Sequence, residues 1–293
     1  MRYTLENDYL AVEVDSFGAE IKSVRSKKDG HEYMWNGDKK FWGRTSPVLF
    51  PFVGSCKNKE YTFKGVTYKM PQHGFARDNE HTLVSKTESE IWFSFKGTEQ
   101  TRENYPFDFV LKIGYQLKGN SVKVLWSVGN PSSEKTLYFS IGAHPAFMCD
   151  FSAGGYSVAF SKNGKPLQEI CWHGINEANG LSLDENLSLE LKDGCAELVQ
   201  NFFDRCALIF EGAQADEVSL VSSDGKNFVT VKFDMSLFAL WSPEEKHAPF
   251  VCIEPWCGRC DKETFSGTLE EREYSNTLQP RSSFEQSYTV SFN

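Results

Sequence analysis

Apolar and polar side chains alternate with a period of two along most of this chain. Phe107, Phe109, Leu111, Ile113, Tyr115 and Leu117 fall on one face of an extended segment, with Asp108, Lys112 and Gln116 on the other. Successive strand side chains point to opposite sides, so this period predicts a strand with one buried face. Lys118-Gly119-Asn120 reads as a turn, and residues 121–128 return as the second arm of a hairpin. A shorter hairpin is predicted at residues 61–68, turning at Lys64-Gly65, and further strands at residues 10–14, 91–95 and 287–292. Helical periodicity is nearly absent; residues 101–104 and 242–246 each read as a single helical turn. The 24 Phe, 11 Tyr and 7 Trp suit wide pleated faces. Many strands at short spacing with Gly, Asn and Asp turns predict an all-β sandwich or barrel. With no repeat and no shift in composition, one domain over residues 1–293 is expected.

Composition narrows the function classes. The chain carries 40% hydrophobic and 24% charged residues and a formal net charge of −9. An acidic chain without a basic run is not built to bind nucleic acid or a membrane surface. No run approaches the ~18 apolar residues of a membrane-spanning helix, and the first residues hold no apolar stretch for a signal peptide. A cytoplasmic location is expected, and nothing in the chain assigns an oligomeric state. Eight cysteines are scattered through a chain long enough to fold without disulfides. Cys252, Cys257 and Cys260 form a CxxxxC and a CxxC. A structural zinc site needs four convergent ligands, and no second CxxC or HxxxH follows, so no metal is expected.

Three ionisable residues stand in segments that otherwise read as apolar or as backbone punctuation: His73 in Gln72-His73-Gly74-Phe75, His144 in Gly142-Ala143-His144-Pro145, and Glu254 in Val251-Cys252-Ile253-Glu254-Pro255-Trp256. A carboxylate removed from water needs a reason, and desolvation raises its pKa toward the range of a general base. Pro255 is expected to end or kink the strand, leaving Glu254 at its terminus; the bland alternative is a structural ion pair with Arg259. Pro145 restricts the backbone of His144 and so helps to aim its imidazole. Gly74 lets backbone approach His73 closely. Arg44 and Arg77 carry planar guanidinium groups suited to hydroxyl pairs, carboxylates or phosphates. Trp42, Phe75, Phe147, Trp241 and Trp256 could stack on a sugar ring or simply pack. Gly-x-Ser-x-Gly, Walker and Rossmann patterns are absent, and nothing marks Cys149, near His144, as an activated thiolate.

Taken together, the segments Phe17-Gly18-Ala19-Glu20-Ile21, Gly43-Arg44 with Pro47-Val48-Leu49-Phe50-Pro51, His73-Gly74-Phe75-Ala76-Arg77, Gly142-Ala143-His144-Pro145-Ala146-Phe147 and Glu254-Pro255-Trp256 resemble the aldose 1-epimerase (galactose mutarotase-like) family, in its branch of LacX-type proteins and hexose-6-phosphate mutarotases. The resemblance implies a β-supersandwich and a cofactor-independent isomerase that interconverts the α and β anomers of an aldohexose or its 6-phosphate. It also implies roles: Glu254 takes the proton from the C1 hydroxyl and His144 protonates the ring oxygen. His73 binds and orients the sugar, Arg44 holds hydroxyls or polarises the opening ring, and Arg77, with Arg44, could grip a phosphate; Trp256 is a further candidate for contact with the sugar. Relatives often read Asp-Ala-Leu where this chain reads Arg205-Cys206-Ala207-Leu208, which leaves Asp204, two places early, as the candidate acid for the sugar hydroxyls. The partner expected is a small sugar or sugar phosphate. The competing expectations are a non-catalytic sugar-binding or sensing module on the same fold, and a zinc-stabilised protein built on the three clustered cysteines.

Overall fold

The alternating segments become antiparallel strands, because an apolar face with period two is buried only when neighbouring strands align theirs. The computed structural model describes residues 1–205 and 207–293; Cys206 lies outside the described residues. Among the described residues strand accounts for 48% and helix for 6%, and no helix reaches seven residues: the fold is all-β. The predicted long hairpin is present as Val110–Lys118 and Ser121–Gly129, paired from Lys118 opposite Ser121 to Val110 opposite Gly129. Phe107 and Phe109 are buried but precede the paired segment. The shorter hairpin, Glu60–Phe63 with Val66–Lys69, also forms. Glu99–Asn104 makes the expected helical turn, closed by a capping box between Thr98 and Thr101. Residues 242–246 form a hydrogen-bonded turn rather than helix, with the Lys246 amide reaching back to the Pro243 carbonyl.

Two sheets organise the molecule. The larger contains ten strands and runs from Thr82–Lys86 through the long hairpin and Ser283–Phe292 to Lys165–Pro166. The smaller contains six: Leu208–Phe210, Leu237–Trp241, Phe250–Cys257, Ile141–Ala143 and Val48–Leu49 in spatial order, with Ala146–Met148 also beside Phe250–Cys257. One contiguous apolar core joins them, drawing Leu111, Ile113, Val124 and Val290 from the large sheet and Phe238, Leu240, Val251 and Ile253 from the small one. Among the described residues no helix is long and apolar enough to cross a membrane.

The strand Phe250–Cys257 is buried on both faces as far as Trp256. Val251 and Ile253 point into the shared core. Phe250 and Cys252 join a smaller cluster with Trp35, Ala146 and Ala248, while Trp256 joins another with Leu49, Val53 and Cys260. Glu254 lies on the same face, between Cys252 and Trp256. The expectation that Pro255 ends this strand is wrong: pairing continues through Phe238 opposite Pro255 to Ile141 opposite Cys257. Proline is tolerated because the partner chain on the other side is interrupted there, between Ala146–Met148 and Ile141–Gly142.

Candidate active site

That interruption builds the site. Ala146 pairs with Cys252 and Gly142 with Trp256, and the register is the same on both sides of the gap. His144 therefore falls opposite Glu254, as the unpaired member of a cross-strand couple whose side chains share one face. The His144 amide is held by the Pro47 carbonyl at 3.1 Å and the Ala146 amide by the Thr45 carbonyl at 2.9 Å, which fixes the detour around Pro145. Gly142 leaves room for Trp256: a β-carbon there would stand 2.6 Å from the indole. The Trp256 ring N–H donates to the Ala143 carbonyl at 3.2 Å.

The His144 Nδ1 lies 3.4 Å from the Glu254 Oε1. Glu254 is 1% exposed and His144 7%. Among the described residues, His144 Nδ1 and Glu254 Oε2 have no hydrogen-bond partner. Burial pushes the Glu254 carboxyl well above the usual carboxylate range, opposed only in part by the neighbouring Trp256 indole. Burial, followed by the positive charge of Arg77, drives His144 down to about 3. Both shifts penalise the charged form, so the pair resists becoming an ion pair. Arg259 does not neutralise Glu254; it binds Glu211 at 2.5 Å and also contacts Glu273. The ion-pair alternative for Glu254 is thereby removed.

Around the pair lies a cleft of about 280 Å³. Trp42 stacks on His144, with centroids 4.7 Å apart at 26°, and Trp241 meets its edge at 5.3 Å. His73 approaches His144 edge-on at 5.5 Å. The His73 Nδ1 accepts from the Gly54 amide at 3.1 Å, which makes Nε2 the protonated nitrogen and a fixed donor. Burial first, then Arg77, His144 and Arg44, hold His73 neutral well below its ordinary pKa. Its backbone is left-handed, with φ of 66°, and Gly74 follows at 69° with the Phe50 carbonyl where a β-carbon would be.

Arg44 contacts Asp78 at 2.8 Å, and Arg77 donates to the Gln72 carbonyl at 2.8 Å. The buried Arg77 Nε has no hydrogen-bond partner among the described residues and lies 3.7 Å from the Asp78 Oδ2. Burial and neighbouring Arg44 lower Arg77 to about 10, so it stays protonated at neutral pH. Both arginines, His73, His144, Glu254 and Trp256 line the one cleft.

Asp204 is not brought into it. It lines a separate depression with Val199, Gln200, Asn201, Glu245 and His247. Besides Glu254, the acid lining the cleft among the described residues is Glu177, in the turn after Ile175–Asn176. Desolvation raises the Glu244 carboxyl, and the neighbouring carboxylates of Glu177, then Glu245 and Asp204, add to the shift. Sequence reasoning missed Glu177 because Ile175-Asn176-Glu177-Ala178-Asn179-Gly180 reads only as a turn. Cys252, Cys257 and Cys260 face three different apolar groupings and do not converge, so the zinc-stabilised reading of that trio fails.

The family model described as aldose 1-epimerase matches residues 1–267. The chain belongs to the aldose 1-epimerase family. It is 30% identical, over 302 aligned positions covering 99% of both chains, to the chromosomal LacX protein of Lactococcus lactis subsp. lactis. Its structure matches that of a galactose mutarotase related enzyme from Lactobacillus acidophilus, with a TM-score of 0.91, 32% identity and coverage of 100% of this chain and 97% of that one. A galactose mutarotase-like protein from Lactobacillus casei ATCC 334 also matches, with a TM-score of 0.91, 27% identity and full coverage of both chains. The galactose mutarotase-like fold expected from the family resemblance is thus the fold of this aldose 1-epimerase family member.

Proposed function

We propose that this protein is a cofactor-independent mutarotase that exchanges the α and β anomers of an aldohexose or its 6-phosphate. The observation that carries this reading is the buried, cross-strand Glu254–His144 couple, 3.4 Å apart, whose free polar atoms have no partner within the protein. Anomer exchange needs an acid and a base on two oxygens bonded to the same carbon, and two side chains this close suit that task.

The reaction balances on one proton. In the charge-separated state Glu254 is a carboxylate and His144 an imidazolium. Glu254 takes the proton of the C1 hydroxyl while the C1–O5 bond breaks, its electrons passing to O5, which takes the proton of His144. C1 becomes a carbonyl, the C1–C2 bond turns, and O5 re-attacks the other face as both protons return. Ring opening leaves Glu254 and His144 neutral, the arrangement that burial favours. His73 donates from Nε2 to a sugar hydroxyl, and Glu177 accepts from another. Arg77 and Arg44 bring two positive charges that suit hydroxyl oxygens in a free sugar and a phosphate in a phosphorylated one.

The test is NMR exchange spectroscopy of anomer interconversion with glucose, galactose and their 6-phosphates. Wild-type protein should accelerate at least one of them above the buffer rate. Glu254→Gln and His144→Asn should lower that acceleration by at least about a hundredfold with unchanged circular dichroism. Exchange at the buffer rate across the panel would overturn the proposal.

A further inference from the structure

The clustered cysteines do not meet one another, but one of them meets the proton-transfer pair. Cys252 and Glu254 are two residues apart on one strand and share a face, and His144 stands opposite Glu254. A nitrogen of His144, the Cys252 Sγ and a carboxylate oxygen of Glu254 all lie within 4.8 Å of one another. Among the described residues this is the one group of three or more such side chains placed so closely. The three residues are 7%, 0% and 1% exposed. Two of the donor groups carry buried polar atoms without partners, His144 Nδ1 and Glu254 Oε2.

The donor set selects a class of ligand. Magnesium and calcium prefer six or more oxygen ligands, which this wall does not offer. One imidazole, one thiolate and one carboxylate suit a borderline or thiophilic divalent ion such as zinc. Zinc bonds of ~2.0–2.2 Å place adjacent tetrahedral ligands roughly 3.4 Å apart. The separation of His144 Nδ1 from Glu254 Oε1 is 3.4 Å. Three protein ligands would leave a fourth position, and two of the three, His144 and Glu254, line the cleft.

We propose that His144, Cys252 and Glu254 form a seat for zinc-like divalent cations, and that a cation bound there excludes anomer exchange. Binding displaces the thiol proton of Cys252, and any proton on Glu254, to water; no electron transfer is involved. The bound ion occupies the nitrogen and oxygen lone pairs that the proposed reaction needs for proton transfer, so the ion inhibits rather than assists. Cation binding stands independently of the mutarotase reading, whereas the inhibition rests on it.

The experiment uses the full chain, stripped of metal, with cobalt(II) as a spectroscopic probe and zinc as the inhibitor. Cobalt should give a thiolate-to-metal charge-transfer band with wild type, Cys257→Ala and Cys260→Ala, and none with Cys252→Ala or Cys252→Ser. Zinc should then suppress anomer exchange of the wild type by tenfold or more. The Cys252 variants, as active as wild type without metal, should need at least about tenfold more zinc for the same effect. Absence of the band, or its persistence in both Cys252 variants, overturns the seat. A Cys252-dependent band with zinc-insensitive exchange overturns the inhibition. A Cys252-dependent band in a protein with no exchange activity upholds the seat and sinks the mutarotase reading instead.

Discussion

His81 gives the most quantitative consequence of this architecture, and it lies outside the cleft. It is 1% exposed, its Nδ1 donates to the Asn79 carbonyl at 3.1 Å, its ring packs on Phe95 at 5.2 Å, and its Nε2 has no partner. Burial lowers its pKa from 6.5 to about 4, although the Asn79 carbonyl and the charge of Glu80 pull the other way. The depressed value fixes the sign. In the unfolded chain this histidine takes up a proton as pH falls through about 6.5, while in the fold it stays neutral until about pH 4. Stability therefore falls across that window, by about 2 kcal/mol between pH 7 and pH 5 and by about 3 kcal/mol once both states are protonated. His81→Phe keeps a ring against Phe95 and removes the orphan nitrogen; the Asn79 carbonyl still accepts from the Gly18 amide at 2.8 Å. Urea unfolding followed by tryptophan fluorescence at pH 7 and pH 5 is the assay. The drop in unfolding free energy between the two should be smaller in the variant by about 2 kcal/mol, whatever its baseline at pH 7. Parallel drops in wild type and variant, agreeing within about 0.5 kcal/mol, would refute the claim that burial keeps His81 neutral.

Other outcomes follow from the cleft. A pair that works with one proton should lose kcat/KM only when His144 gains a second, near pH 3, or when the raised carboxyl of Glu254 loses its own on the alkaline side; an acid limb centred near pH 6.5 in the pH–rate profile would contradict this. Glu177→Gln should raise KM about tenfold with kcat changed less than about twofold, because it removes one charged hydrogen bond to a sugar hydroxyl; initial rates over a concentration series decide it, and a fall in kcat at constant KM counts against the assignment. Gly74→Ala places a methyl 2.3 Å from the Phe50 carbonyl at a φ of 69°, so it should destabilise the fold by at least about 2 kcal/mol in a thermal or urea melt and weaken sugar binding through the displaced His73.

Most strands were legible because their signal is local. The alternation from Leu111 to Leu117 and the Lys118-Gly119-Asn120 turn need no tertiary information, and both form as read. The strand around Glu254 was legible as an apolar run, but its continuation past Pro255 was not. Whether proline breaks a strand depends on what lies beside it, and here the partner is interrupted by a segment more than a hundred residues away. His73, His144 and Glu254 stood out because charge among apolar or glycine-rich neighbours is costly, and that cost is visible residue by residue. Asp204 was chosen by proximity in sequence to where relatives carry an acid. Asp204 lines a separate depression, and Glu177, from the turn after Asn176, lines the cleft, a placement that a single sequence cannot give. Cys252 was likewise grouped with Cys257 and Cys260 by spacing, whereas alternation along the strand turns it toward His144 and Glu254.

The same burial that makes the Glu254–His144 pair awkward is what fits it for proton exchange. In water the carboxylate and imidazolium would each be well solvated and would have little drive to exchange protons with a sugar. Between Trp42, Trp241 and the apolar face of the Phe250–Cys257 strand, charge on either group is penalised. In the proposed reaction, a hydroxyl that gives its proton to Glu254 while the ring oxygen takes one from His144 would relieve both penalties in one step. Burial thereby makes the imidazolium a stronger acid and the carboxylate a stronger base than either would be in water. The proposed reaction would use two groups that share one proton, held opposite each other across a gap in a sheet, with a neutral donor at His73 and cations at Arg44 and Arg77 beside them in the cleft to hold the sugar.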